Sequence, residues 1–159
     1  MGKITTFRKL INMELAEFGL KVSLAIIAGL LIGAEREYKG KSAGLRTNAL
    51  VSLGACVFIL ISLEFRGEQF VDVTRVLGQV VTGIGFIGAG TILHQGTKVE
   101  GLTTAATIWC SAGTGSLAAL GMYGELAVIT ILVIIINLVF NFFEVKLLNT
   151  KNPTDSKER

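Results

Sequence analysis

The sequence predicts an all-α integral membrane protein: five transmembrane helices packed into a tight, glycine-rich bundle. Three observations carry that expectation. Hydrophobic residues make up 51% of the chain and charged residues only 17%, against about 25% charged in soluble domains. The charges fall in short islands separated by long runs that have none. Glycine is abundant, 19 of 159 residues, while proline occurs once. Glycines inside apolar runs suit a bilayer, where small residues let helix backbones approach closely. The mean hydropathy of +0.63 agrees.

A bilayer core takes about 20 mostly apolar residues per helix, and that length divides the chain. Residues 1–17 form an N-terminal segment in which "TTFRKLINMELAEF" is expected to lie as an amphipathic helix on the membrane surface. The membrane domain, residues 18–145, is expected to hold spans at 18–34, 47–63, 76–93, 102–121 and 126–143. Lys21, near the start of the first span, can snorkel to the interface. The second and third spans carry no charge, and the fifth, "LAVITILVIIINLVFNFF", is the most lipid-like. Lys3, Arg8 and Lys9 ahead of an apolar run resemble a secretory signal, but no small-x-small cleavage site follows, so the first span is expected to be retained. Residues 146–159 read as a short polar tail, frayed past Asn149, with no soluble regulatory domain.

Lysine and arginine counts set the orientation. Five spans place the 1–2 loop, the 3–4 loop and the tail on one side, with Arg36, Lys39, Lys41, Arg46, Lys98, Lys146, Lys151, Lys157 and Arg159. The other side holds Lys3, Arg8, Lys9, Arg66 and Arg75. The C-terminus is therefore expected in the cytoplasm and the N-terminus outside.

Several function classes are not indicated. The net charge of +3 is small and its basic residues do not interleave with exposed aromatics, so no nucleic-acid partner is expected. Cys56 and Cys110 lie in apolar runs without C-x-x-C spacing and read as buried, inert thiols. His94 has no second ligand within sequence reach. No nucleophile, base and orienter set is present, so the protein is not expected to be an enzyme and no catalytic residue is assigned.

Gly83, Gly85 and Gly88 in "VVTGIGFIGAG" spell the G-x-G-x-x-G of a dinucleotide fold. They stand inside an uncharged span flanked by other spans, so no nucleotide is expected and packing is the reading they support. Gly78, Thr82, Gly85 and Ala89 are spaced by four, three and four, along one helical face, which Gly83, Gly88 and Gly90 broaden. The third span is accordingly expected to be central and closely contacted. Gly29 and Gly33 form a G-x-x-x-G pair in the first span.

Polar residues at the membrane edge are the candidate functional cluster: Glu35 and Arg36 in "GAERE", and Arg46, Thr47 and Asn48 in "AGLRTN". An ionisable group there is costly unless paired, and Glu35 and Arg46, at opposite ends of one short loop, are expected to form an ion pair. Thr103 and Thr104 are candidate caps of the fourth helix. Gln79, Thr82, Thr107 and Asn137 are candidates for bonds between helices.

The chain resembles the transmembrane domain of the MgtC/SapB family of bacterial membrane proteins. The resemblance covers roughly residues 20–140 and rests on "GAERE", "AGLRTNALVSLGA", "GIGFIGAG" and "GLTTAATIWCSAGTGSLAALGMY", in that order. It carries over Glu35, Arg36, Gly44, Arg46, Thr47 and Asn48, then Gly83, Gly85, Phe86, Gly88 and Gly90, and then Gly101, Thr103, Thr104 and Trp109. It implies a five-helix membrane domain in the bacterial plasma membrane, associated with magnesium homeostasis, low-magnesium or stress adaptation, and control of other membrane proteins, including ATP synthase. Many members continue into a soluble ACT-like domain, which the sequence through Arg159 does not contain. The expected function is thus non-enzymatic, exerted by packing against partner membrane proteins or as a homodimer. The alternative is a small transporter or channel-like protein for Mg²⁺ or another small solute. No cofactor is expected; Mg²⁺ enters through the alternative alone, with Glu35 as its candidate ligand.

Overall fold

The elements follow the order α1 (Gly2–Tyr38), α2 (Leu45–Glu64), α3 (Val73–Ala89), β1 (Leu93–Gln95), β2 (Lys98–Glu100), α4 (Leu102–Ala119) and α5 (Tyr123–Leu148). The structure is a computed structural model that describes residues 2–66 and 72–148, with side chains described over 14–66, 72, 74–139. The expected frayed end of the tail, past Asn149, lies outside the described residues.

α1 continues without a break through the boundary expected at residue 17, giving one helix of 37 residues and about 55 Å. The amphipathic character expected for residues 1–13 lies outside the described side chains. α1 ends in a Schellman motif: Gly40 takes φ 61°, its N–H reaches the Glu37 carbonyl and the Lys41 N–H reaches that of Arg36, both at 3.0 Å. α4 ends the same way at Gly121, φ 73°, with Gly121 bonded to Ala118 and Met122 to Leu117. α3 begins on Asp72, whose carboxylate accepts from the Thr74 N–H at 2.9 Å and the Thr74 hydroxyl at 2.6 Å, the usual N-cap arrangement.

The third span expected over 76–93 is shorter as a helix. α3 stops at Ala89, and the chain turns through Gly90 to Ile92 into a hairpin that the sequence reading did not anticipate. Its register pairs Leu93 with Glu100, His94 with Val99 and Gln95 with Lys98. The two-residue loop starts at Gly96, φ 62°, the positive φ such a loop demands.

α1, α2 and α4 form the centre, and α3 and α5 flank them. This corrects the expectation of a central third helix. The interior sets many small and polar groups, Ala25, Ala28, Cys56, Ala118 and Ala119 beside Asn48, Ser52, Ser111 and Thr114, around the buried isoleucines Ile32, Ile59 and Ile108. Many other large apolar side chains point outward, Leu50, Phe58, Phe86, Ile131 and Ile136 among them. Close backbone approach makes that interior possible. A Cβ on Gly29 would stand 2.5 Å from the Asn48 carbonyl oxygen, one on Gly33 2.7 Å from that of Gly44, and one on Gly115 would collide with the Ser52 carbonyl.

Among the described residues, Glu14–Tyr38 and Leu45–Glu64 are long and apolar enough to cross a membrane, and Tyr123–Val139 is a shorter apolar stretch. The α1–α2 loop, the hairpin, the start of α4 and the region of α5 around Asn137 meet at one end of the bundle.

Candidate functional site

At that end lies an open cleft of about 630 Å³. α1 and its following loop supply Glu35, Arg36, Lys39, Lys41 and Ser42. The hairpin supplies Leu93, Lys98 and Glu100, α4 supplies Thr103 and Thr104, and α5 supplies Ile136 and Asn137.

Arg36 is its anchor. It is buried, 5% exposed, and its guanidinium donates to the Ser42 carbonyl at 3.2 Å and to the Thr104 hydroxyl of α4. Glu35, whose side chain is 8% exposed, pairs with Lys39 at 2.6 Å one helical turn on. Lys39 also donates to the Asn137 carbonyl of α5 at 3.3 Å. Among the described residues, three buried atoms of this group have no hydrogen-bond partner: Glu35 Oε2, Arg36 Nε and Asn137 Nδ2. On the hairpin, Lys98 and Glu100 pair at 2.7 Å in the open. That bond holds the Lys98 ammonium above, and the Glu100 carboxyl below, their usual ranges.

The expected Glu35–Arg46 pair does not form: Glu35 turns to Lys39 and Arg46 is exposed. An i, i+4 Glu–Lys pair is in reach along one helix and needs no loop to fold first. Thr47 is half-buried. Asn48 is buried, but in the bundle interior rather than in the cleft. Its Nδ2 donates to the Ala43 carbonyl and, at 3.0 Å, to that of Gly44, while its Oδ1 accepts from Ser111 at 2.7 Å. It thereby holds Ala43 in a left-handed conformation, φ 56°. Arg36 and Asn48 are therefore joined through the loop they both grip, at residues 42–44, and through α4, where they bond Thr104 and Ser111.

Gly44 leaves room for the Glu37 carboxylate, which accepts from the Leu45 N–H at 3.2 Å and places negative charge at the start of α2. The expected threonine caps are also corrected. Gly101, φ 92°, is the N-cap of α4 and gives no side-chain bond; Thr104 serves Arg36 instead, and Thr103 is exposed. A Cβ on Gly101 would strike the Thr91 carbonyl.

The glycine stripe of α3 faces outward. Gly78, Thr82, Gly85 and Ala89 are exposed, as are Gly83 and Gly90, and a Cβ on Gly78, Gly83 or Gly85 would meet nothing within 4 Å. Gly88 alone of this group is buried, and a Cβ on it would stand 3.4 Å from that of Ala105 in α4. Phe86 of α3 is 84% exposed, and Trp109 of α4, which lies beside Leu77, Val80, Val81 and Ile84 of α3, is 52% exposed. Thr82 bonds back to the Gly78 carbonyl and Thr107 to that of Thr103, so neither links helices; Gln79 is exposed.

Ser42, Lys98, Ser52 and Ser111 were not singled out from the sequence. Lys98 had a signal: the two-residue "GT" between "HQ" and "KV" marks a hairpin. The serines had none, since a serine in an apolar run bonds its own helix as readily as a neighbour's.

Residues 22–146 match the family model described as MgtC family. Protein MgtC of Salmonella typhimurium is 47% identical over 127 residues, covering 80% of this chain and 54% of that protein. Protein MgtC of Brucella abortus is 47% identical over 113 residues, 71% of this chain and 47% of its own length. An uncharacterised Synechocystis protein is 40% identical over 126 residues, 79% and 53% respectively. The chain thus spans about half the length of the curated relatives it matches. No solved structure matches it.

Proposed function

This chain belongs to the MgtC family, and from that premise we propose that it is a five-span plasma-membrane protein of magnesium homeostasis or low-magnesium adaptation, acting on other membrane proteins. Its interior of small and hydroxyl-bearing residues beneath an apolar exterior supports a bilayer setting, because water would favour the reverse. The meeting of the α1–α2 loop, the hairpin and the Asn137 region of α5 at one end supports alternating spans; the excess of lysine and arginine on that side is what argues for a cytoplasmic C-terminus and an N-terminus outside.

The observation that carries the partner reading is the outward stripe of α3. Gly78, Gly85 and Ala89 leave a helix face on which another transmembrane helix can lie closely, with the exposed Phe86 on the same helix. The occupant is a helix of a different membrane protein, ATP synthase being the one the family resemblance implies; a second copy of this chain is the other outcome to test. Transport of Mg²⁺ has less support. Glu35, the carboxylate it would need, is engaged by Lys39 and neighbours Arg36, whereas Mg²⁺ seeks carboxylates and water.

The test is cross-linked co-purification from native membranes, with Gly85→Leu beside the parent chain. Loss of partner with an unchanged melting midpoint supports the reading. Retention of every partner, together with Mg²⁺ flux in liposomes that Glu35→Gln abolishes, replaces it by the transporter.

A further inference from the structure

The cleft holds hydrogen-bonding capacity that the bundle leaves unmet. Two orphaned donors, Arg36 Nε and Asn137 Nδ2, and one orphaned acceptor, Glu35 Oε2, are buried on residues that line it. Arg36 is 5% exposed and the Glu35 side chain 8%, so open solvent does not satisfy them. Buried polar groups are almost always paired, and three orphans at one site mark a place for a bound group.

Charge decides its sign. Lys39 neutralises Glu35 and Lys98 neutralises Glu100, which leaves Arg36 and Lys41 in excess on the lining. α4 starts in the same cleft with no side-chain cap on Gly101. Its first-turn N–H groups have no intrahelical acceptors and form the positive end of an 18-residue helix. A cation is repelled here and an anion drawn in.

Shape narrows the class. The donors come from three directions: α1 through Arg36, α5 through Asn137 and the first turn of α4. A tetrahedral oxyanion offers oxygens along all of these, whereas a planar carboxylate offers two. Glu35 Oε2 adds that the group must also present a donor.

We infer that this cleft binds a phosphate group carrying a hydrogen-bond donor. Hydrogen phosphate satisfies that description, and so does a phospholipid headgroup whose ammonium or hydroxyl reaches Glu35. The site is separate from the α3 stripe and does not depend on what that stripe binds.

The experiment uses the full chain, purified and delipidated in detergent, with melting followed during titration by sodium phosphate against chloride at constant ionic strength. A second arm places the chain in nanodiscs of phosphatidylcholine with or without phosphatidylethanolamine and phosphatidylglycerol. A rise in the midpoint with inorganic phosphate identifies the free anion; a rise only with the added phospholipids identifies the headgroup. Either supports the site if Asn137→Asp weakens the effect at least about tenfold, the loss expected for a charge-assisted bond turned to repulsion. Arg36→Gln is expected to do the same but also cuts the tie to Thr104; Asn137→Asp leaves the backbone contact with Lys39 in place. No shift in either arm, an equal shift in Asn137→Asp, or the same shift with MgCl₂ in place of phosphate overturns the proposal.

Discussion

Ser111 donates its hydroxyl proton to the amide oxygen of Asn48 at 2.7 Å, across the contact between α4 and α2 and 63 residues away in sequence. The same asparagine holds the carbonyls of Ala43 and Gly44. One turn deeper, Ser52 donates to the Ala25 carbonyl of α1 at 2.7 Å and lies 3.4 Å from the Thr114 hydroxyl. A line of polar contacts therefore runs through the packed centre, flanked by the glycines that let the backbones close on it.

Asn48→Ala removes both halves of that arrangement and orphans the Ser111 donor and the Ala43 carbonyl, while the Gly44 carbonyl keeps the backbone N–H of residue 48. The expected loss of stability is about 1–3 kcal/mol, with Ser111→Ala costing less. The double variant is expected to show a coupling of about 0.6–1.7 kcal/mol, the range for hydrogen bonds between helices in membranes. Melting of the four proteins in detergent measures it. Strict additivity would remove the bond from the account of the core.

The glycines sort into two sets that alanine substitution separates. Gly29→Ala and Gly115→Ala push a methyl into the backbones of Asn48 and Ser52, and overpacking of that kind costs about 1–3 kcal/mol. Gly78→Ala and Gly83→Ala meet open space and gain up to about 1 kcal/mol of helix propensity. The melting order is expected to be Gly83→Ala and Gly78→Ala at or above the parent chain, with Gly29→Ala and Gly115→Ala below it.

That division also shows where sequence reading stops. Helix positions were legible because an uncharged run long enough for a bilayer has few other uses, and Gly40 and Gly121 punctuate two ends. Which small-residue face turns inward was not legible. Gly29 and Gly33 on α1, and Gly78, Gly85 and Ala89 on α3, each line up along one helical face, yet the first pair packs on α2 and the second set is exposed. In lipid, both faces of a helix are apolar and hydropathy does not tell them apart. At the cleft, Glu35 and Arg36 could be picked as edge charges, but their partners could not. Lys39 carries no sequence mark that sets it apart from the other loop lysines, and Thr104, 68 residues from Arg36, is a contact that only the fold creates.

Asp72 gives a pH signature outside the helical core. Its side-chain bond from the Thr74 hydroxyl, then the backbone bond from Thr74, hold its carboxyl below the usual range. A depressed folded pKa adds stability that is fully present above the unfolded value of about 3.9 and drains as pH falls through the folded one. Asp72→Asn keeps an acceptor but loses the charge. Its melting deficit relative to the parent chain is expected to be present at pH 7 and to shrink below about pH 4. A deficit independent of pH down to 3 would show that the charge at the start of α3 contributes nothing.

Gly96 and Gly101 test the hairpin and its junction with the cleft. Both hold positive φ, 62° and 92°, which costs a residue with a Cβ roughly 1–2 kcal/mol. Gly96→Ala meets nothing within 4 Å and is expected to stop at that cost. Gly101→Ala adds a collision with the Thr91 carbonyl, bringing the expected loss to about 3 kcal/mol or more. The two also differ at a distance. Relieving the collision moves the first turn of α4, whose amides line the cleft, while the tip of the hairpin at Gly96 lies off its lining. Gly101→Ala is thus expected to weaken stabilisation by phosphate or phospholipid, and Gly96→Ala to leave it intact at equal fractions folded. If both variants melt alike, the close approach of Gly101 to Thr91 is not what seats α4 beside Arg36.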